Sequence, residues 1–504
     1  MVRHAAVAIL GSGFSGLGVA IELKRAGVDD LVLLERAAAV GGTWRDNQYP
    51  GCACDVPSHL YSFSFAPNPD WSRYFAPQPE IWAYLERCAD AFDVRRHILF
   101  QREVVEATWD DGPAVWRLRT RSGEELTADA VVMGTGALSN PATPRLAGAE
   151  RFQGAQFHSA RWDHGYDLRG KRVAVVGTGA SAVQFVPRIQ PLVEKLYVLQ
   201  RTPPWILPRH DRAFRTWEKA LLRAVPGARW LYRQSIYWRL EGRVLAFREH
   251  EALMRLVAAQ AKRHMARTIR DPRLRRLLTP GSTPGCKRIL LSDDYYPAIA
   301  QPNVEVIAQE IAGAGERSVE LASGRALDVD AIIYGTGFRV HDYLGGLPVT
   351  GRGGARLAAV WRGGAEAYLG TVVAGFPNLF LMTGPNTGLG HNSMVVMIEG
   401  QARYVAQAIR LLRQRRLAAM EVRPEVQSAY NAWLKRKIAP AVWSSGCRSW
   451  YLDDRGRNTT LWPSFATSFR TRTARLRAED FQLRRRVAPP AARARGEAME
   501  TGAP

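Results

Sequence analysis

Two short segments of this 504-residue chain repeat one pattern of small residues: Gly11-Ser12-Gly13-Phe14-Ser15-Gly16 and, roughly 166 positions later, Gly177-Thr178-Gly179-Ala180-Ser181-Ala182. Each follows a short apolar run, Val7 to Leu10 or Val173 to Val176, and each opens a stretch with apolar residues at helical spacing. Strand, tight turn and helix in that order predict an α/β chain with parallel sheets, and glycines at this spacing let a backbone approach a nucleotide pyrophosphate. Gly11 permits the sharp turn, Gly13 leaves room for the phosphates, and Gly16 lets helix and strand pack closely. The helix start supplies unpaired N–H donors to the anion.

The residues that follow each turn differ in charge. After the first unit, the apolar run Leu31 to Leu34 ends in Glu35, a carboxylate placed to bind ribose hydroxyls. After Gly177, Gly179 and Ser181, the run Leu196 to Leu199 ends in Gln200, Arg201 and Thr202. An arginine there favours the 2′-phosphate of NADP(H), which a carboxylate would repel. Two sites of opposite charge imply two dinucleotides, FAD in the first and NADPH in the second.

Length allows two or three domains with sizeable cores. No apolar run reaches the roughly 18 residues that cross a bilayer. Five cysteines, Cys52, Cys54, Cys88, Cys286 and Cys447, contain no C-x-x-C pair. That count suggests reduced thiols and a cytoplasmic location, and argues against a dithiol reductase. The ten histidines lack metal-ligand spacing, so no metal site is expected.

The net charge is +22, and residues 209 to 276 hold 18 Lys plus Arg against 6 Asp plus Glu. Trp217, Trp230, Tyr232, Tyr237, Trp238 and Phe247 are interleaved there, and the stretch reads as helices. Solvated faces around a substrate entrance are the first reading and peripheral association with an acidic membrane is the second; nucleic acid is not expected as a partner.

Further apolar runs at Ala130 to Met133, Ala331 to Tyr334 and Leu379 to Met382 each lead into glycine-rich turns. They predict a discontinuous FAD-binding domain over 1–145 and 372–480, into which an NADPH-binding domain over 150–208 and 281–371 is inserted. A helical insert over 209–280 interrupts the second domain. A disordered tail is expected over 487–504, where Ala, Pro, Arg and Gly dominate.

Two further motifs carry a family resemblance. Phe152, Gly154, His158, Trp162 and Asp163 fit F-x-G-x-x-x-H-x-x-x-W-[PD] between the glycine turns. Gly41, Gly42, Trp44, Tyr49, Pro50, Gly51 and Asp55 fit G-G-x-W-x-x-x-x-[FY]-P-G-x-x-x-D after the first turn. With these the chain resembles the type I Baeyer-Villiger monooxygenases over roughly residues 5 to 465. The resemblance implies two Rossmann-like domains and a ketone and O2 as substrates. NADPH would reduce FAD, and oxygen would add at flavin C4a to give a peroxide that converts the ketone to an ester or lactone. N-hydroxylating or S-oxidising flavin monooxygenases are the alternative.

By the same resemblance Arg288 is the active-site arginine and Asp55 its carboxylate partner. Lys287 joins Arg201 at the 2′-phosphate, and Trp450 lies on a segment closing over nicotinamide and substrate. Asn386, in a Gly-Pro-Asn-Thr-Gly turn, approaches the flavin through its backbone, and His158 ties the two domains by hydrogen bonds. The stretch Ile289 to Tyr296 lacks a proline that cyclohexanone-type members carry near its start, so their substrate preference is not carried over.

Overall fold

The computed structural model describes residues 2–248, 251–447 and 449–486. The tail expected to be disordered, 487–504, lies outside them.

Both glycine turns sit where predicted, between a parallel strand and a helix. Strand β1 (Arg3–Leu10) runs into helix α1 (Phe14–Arg25) and then strand β2 (Leu31–Leu34). Every residue of β2 is buried, as expected of a strand covered on both faces. An eight-stranded sheet grows from this pair, with β3 (Ile98–Leu99) beside β2 and β6 (Glu125–Met133) beside β1, all parallel. Strands β4 (Val104–Asp110) and β5 (Val115–Thr120) extend it in antiparallel fashion.

The second turn belongs to a separate five-stranded sheet, entirely parallel. Its strands are β7 (Ala155–His158), β8 (Arg172–Val176), β9 (Lys195–Leu199), β10 (Val304–Ile307) and β11 (Ala331–Tyr334), in the order β10-β9-β8-β11-β7. Helix α2 (Ala180–Ile189) follows β8. The chain then returns to the first sheet: β12 (Val349–Thr350) pairs with β4, and β13 (Leu379–Leu381) pairs with Val131–Met133 of β6.

The basic stretch is helical, with α3 (Thr216–Ala224), α4 (Ala228–Glu241), α5 (Val244–Arg248), α6 (Glu251–Thr268) and α7 (Pro272–Leu278). On α4 the apolar side holds Ile236, Tyr237 and Leu240 in the main core, while Trp230, Leu231 and Trp238 point outward. Among the described residues no helix is long and apolar enough to cross a membrane.

One sequence expectation fails. Cys286 and Cys447, taken as reduced thiols, form a disulfide with their Cα atoms 6.2 Å apart; Cys52, Cys54 and Cys88 are free and buried. The two partners lie 161 residues apart in the chain, so only the tertiary fold brings them together.

Candidate active site

Strand ends from both sheets open on one cavity of about 1630 Å³. That exceeds the roughly 300–1,000 Å³ of a single small-ligand pocket. Gly11, Gly13, Glu35, Gly42, Trp44 and Asp55 line it from the first unit, and Gly177, Gly179, Ser181, Arg201 and Thr202 from the second. Lys287, Arg288 and Trp450 complete its wall.

The two glycine turns fit dinucleotides in the same way. Gly11 has φ +97° and Gly177 φ +102°, a left-handed geometry that disfavours any side chain. A Cβ at either would come within 2.8 Å of the Gly134 carbonyl oxygen or 2.6 Å of that of Gly335. At Gly16 the demand is packing: a Cβ would stand 1.9 Å from the Gly11 carbonyl oxygen. Gly13 and Gly179 cap α1 and α2 without any side-chain hydrogen bond, and neither first turn carries an acid. Each helix therefore presents free N–H donors and its positive end to an anion.

Glu35 is buried at the end of β2, where its Oε2 accepts the Ser12 N–H at 2.9 Å and the Ser12 hydroxyl at 2.7 Å. Its Oε1 accepts from Arg45 Nη1 at 3.1 Å. The carboxylate is thereby fixed beside the first turn. Gly42, at φ +53°, starts a short helix (Thr43–Asp46) directly against Gly13. From that helix Trp44 donates its indole N–H to the Tyr61 hydroxyl at 3.2 Å.

On the opposite side Lys287 Nζ donates to Thr202 Oγ1 at 2.7 Å. Burial, then repulsion from Arg201, holds the Lys287 ammonium below the usual lysine range. A bound phosphate dianion would relieve that repulsion, so Arg201, Thr202 and Lys287 fit the 2′-phosphate of NADPH.

Between the two nucleotide sites Arg288 donates to one oxygen of Asp55, Oδ2, from Nε at 3.0 Å and from Nη2 at 2.6 Å. The side chains are 29% and 30% exposed. Burial pushes the Asp55 carboxyl up, but the charge and hydrogen bonds of Arg288 outweigh it and hold the group below the usual carboxylate range. Asp55 in turn raises Arg288, so the pair stays ionised. Trp450, 40% exposed, packs on Tyr451 with ring centroids 4.5 Å apart. Tyr451 itself is buried, which pushes its hydroxyl up to about 12 even though Arg288 pulls it down.

Asn386 lies in a turn whose backbone is expected to approach the flavin. Its neighbours Gly384, Thr387 and Gly388 line the cavity, whereas its own amide donates to the carbonyls of Asn458 and Leu461 at 2.9 and 3.1 Å. At φ +56° it locks the turn to the segment 458–461. His158 also acts locally: Nδ1 accepts from the Ala160 N–H at 3.1 Å, and the ring stands edge-on to Phe338. Burial lowers its pKa.

The other residues of that motif are packing elements of the second sheet. Phe152 is buried in its core, and Asp163 accepts from the Gly165 N–H. A Cβ at Gly154 would meet the Asp330 carbonyl at 2.4 Å, so β7 can reach the sheet edge only with glycine there. Trp162 meets Phe157 edge-on and Phe185 of α2 at a tilt, with ring centroids 5.2 and 5.3 Å away.

Sequence reasoning missed Gln184. Its side-chain oxygen accepts from Tyr49 at 2.9 Å and from the Ala53 N–H at 3.3 Å, and its Nε2 donates to the Ala53 carbonyl at 3.0 Å. It fastens the Asp55-bearing segment onto the second glycine helix. Arg209, which donates to the Cys54 carbonyl at 2.9 Å and adds positive charge near Asp55, was missed too. Neither carries a local signal; a glutamine in mid-helix and an arginine in a basic run look like surface residues.

Comparison with known proteins agrees with this geometry. The family described as "Flavin-binding monooxygenase-like" matches residues 4–343. A Baeyer-Villiger monooxygenase of Pseudomonas aeruginosa is 53% identical, over 95% of this chain and 92% of its own length. One of Streptomyces coelicolor is 49% identical over 99% and 96%. Among solved structures, an oxidised steroid monooxygenase bound to NADP superposes with a TM-score of 0.85 at 30% identity, covering 96% of this chain and all of that one. The closed form of cyclohexanone monooxygenase gives 0.87 at 26% identity with the same coverage. With two dinucleotide cradles facing one cavity and these likenesses over its length, the chain belongs to the flavin-binding monooxygenase-like family, on its Baeyer-Villiger branch.

Proposed function

We propose that this protein is an FAD- and NADPH-dependent monooxygenase that inserts one atom of O2 into a ketone, giving an ester or lactone. The observation that carries the reading is the ionised Asp55–Arg288 pair between the two glycine turns. The alternative of N- or S-oxidation is not favoured, because the named relatives are Baeyer-Villiger enzymes.

When bound, NADPH supplies a hydride and FAD the centre at which oxygen is activated. The chain's part is to hold and orient them. In this reading the first unit, 1–145 with 372–480, takes FAD at Gly11, Gly13 and Glu35. The second, 150–208 with 281–371, takes NADPH at Gly177, Gly179, Ser181, Arg201, Thr202 and Lys287. Arg288 keeps a permanent positive charge at the cleft and stabilises negative charge developing on the reacting oxygen. Asp55 orients the guanidinium, and Trp450 covers the site against water.

We further place the protein in the cytoplasm, peripheral to acidic membranes. Trp217, Trp230, Trp238, Leu231 and Leu256 are between 59% and 67% exposed on the helical insert, which is strongly basic. Exposed tryptophans among arginines suit an anionic lipid surface. Cosedimentation with phosphatidylglycerol vesicles, lost at high salt and absent with phosphatidylcholine, is expected; no binding to either removes this part.

Product mass after turnover with NADPH, isotopically labelled O2, and a mixture of ketones plus one aryl sulfide tests the activity. An ester carrying one labelled oxygen is expected. Sulfoxide alone overturns the ketone assignment.

A further inference from the structure

The disulfide between Cys286 and Cys447 joins two walls of the cleft. Cys286 immediately precedes Lys287 and Arg288, and Cys447 stands three residues before Trp450; all three neighbours line the cavity. We propose that this pair is a reversible thiol–disulfide modification site whose oxidised form ties the Trp450 segment to the Arg288 segment and slows turnover. The proposal rests on the reading of the cleft as an NADPH-dependent monooxygenase site.

Three observations support it. The hydrogen bonds of Ser444, Ser445, Tyr451 and Leu452 run to residues within 438–452 and Leu452 forms a β-bridge with Asn458, so among the described residues these contacts do not fasten the segment to the Arg288 wall. Trp443 and Tyr451 sit in a small apolar cluster with Ala441 and Leu461, apart from the large cores. Phe247 of the insert stacks on Trp443 at 5.9 Å, and a Cβ at Gly285 would come within 3.0 Å of it. The insert, the Cys286 turn and the Trp450 segment therefore meet at the disulfide, and its state bears on all three.

The other thiols are unsuited to compete. Cys52, Cys54 and Cys88 are buried and free, and burial raises all of them, Cys52 to about 12 and Cys88 to about 11. Attack by the thiolate is disfavoured at these sites, which unlike Cys286 have no partner cysteine bonded to them. Cys286 is fully buried and Cys447 only partly so. Exchange therefore begins at Cys447: its thiolate displaces one glutathione from oxidised glutathione, and the Cys286 thiolate then attacks the Cys447 sulfur and releases the second. The two protein thiols lose two electrons and two protons, and the glutathione disulfide becomes two thiols. In a reducing compartment the pair opens, and in an oxidising one it closes.

The test equilibrates the FAD-loaded enzyme in glutathione buffers of graded redox ratio, traps free thiols by alkylation, maps peptides without reduction, and measures NADPH oxidation on the same samples. A Cys286–Cys447 cross-linked peptide should appear as the buffer becomes oxidising, with a several-fold slower rate that dithiothreitol restores. Cys447→Ser, and separately Cys286→Ala, should hold the reduced rate throughout. No cross-link at any ratio, a cross-link with unchanged rate, or equal slowing in both variants overturns the proposal. A reduced enzyme that does not oxidise NADPH overturns the underlying activity instead, and the peptide map still reads the bond.

Discussion

Arg288 places two N–H groups on a single oxygen of Asp55, reaching from the segment just ahead of Leu290–Leu291 to the loop that follows the short helix Thr43–Asp46. The guanidinium is thereby held at one angle. Removing it as Arg288→Ala should leave flavin reduction by NADPH intact and lower ester formation by about 10²–10³-fold, the usual effect of deleting one stabiliser of developing negative charge. Stopped-flow absorbance separates the two steps; unchanged ester yield would contradict the role.

Lys287 and Arg201 repel each other across Thr202 until an anion lies between them. Lys287→Ala should weaken NADPH by roughly 10–100-fold, as expected for loss of one charge-assisted hydrogen bond, and leave NADH almost unaffected. The ratio of kcat/KM for the two nucleotides reads this directly.

Glu241 is buried at the end of α4, where it accepts from the Thr467 N–H at 2.7 Å and from Asn392 Nδ2 at 2.8 Å. Burial pushes its carboxyl up, but His391, 3.6 Å away, and the donors of Thr467 and Asn392 together bring it down to about 2. Glu241→Ala leaves those donors unpaired and should cost about 2–4 kcal/mol of stability, measured by urea unfolding. Glu241→Gln, which keeps an acceptor, should cost less.

His59 lies edge-on to Phe214 and Tyr232, and burial followed by the charges of Arg233 and Arg229 lowers it from 6.5 to about 4. Between those values the unfolded chain binds the proton and the folded one does not. The stabilisation is therefore complete above pH 6.5 and is lost as pH falls toward 4. About 2 kcal/mol should be gone by pH 5. A His59→Gln variant should show a flatter dependence of unfolding free energy between pH 7 and 5.

Local pattern carried much of this molecule. The strand, turn and helix around Gly11 and Gly177 were legible because backbone geometry there admits few residue types. Glu35 and Arg201 were legible because strand ends place charge at a fixed point. The disulfide was not, since cysteine spacing holds no record of which segments a 161-residue excursion brings together. The side-chain bonds of Asn386 to the carbonyls of Asn458 and Leu461 were not legible, because a glycine-flanked turn gives no sign of which neighbouring loop its side chain meets. Gln184 was invisible for the complementary reason: its partners at Tyr49 and Ala53 are more than 130 residues away.

The return of the chain to its first sheet also sets a schedule for synthesis. Val131–Met133 of β6 is completed by Leu379–Leu381, which leaves the ribosome after the whole second sheet and the helical insert. At about 5–20 residues per second that strand waits roughly 12–50 s with one edge unpaired. The inner unit can close first, while the outer one is a nascent sheet with an open flank. Chaperone demand during translation should therefore fall on the earliest part of the chain to emerge, which is the last to be finished.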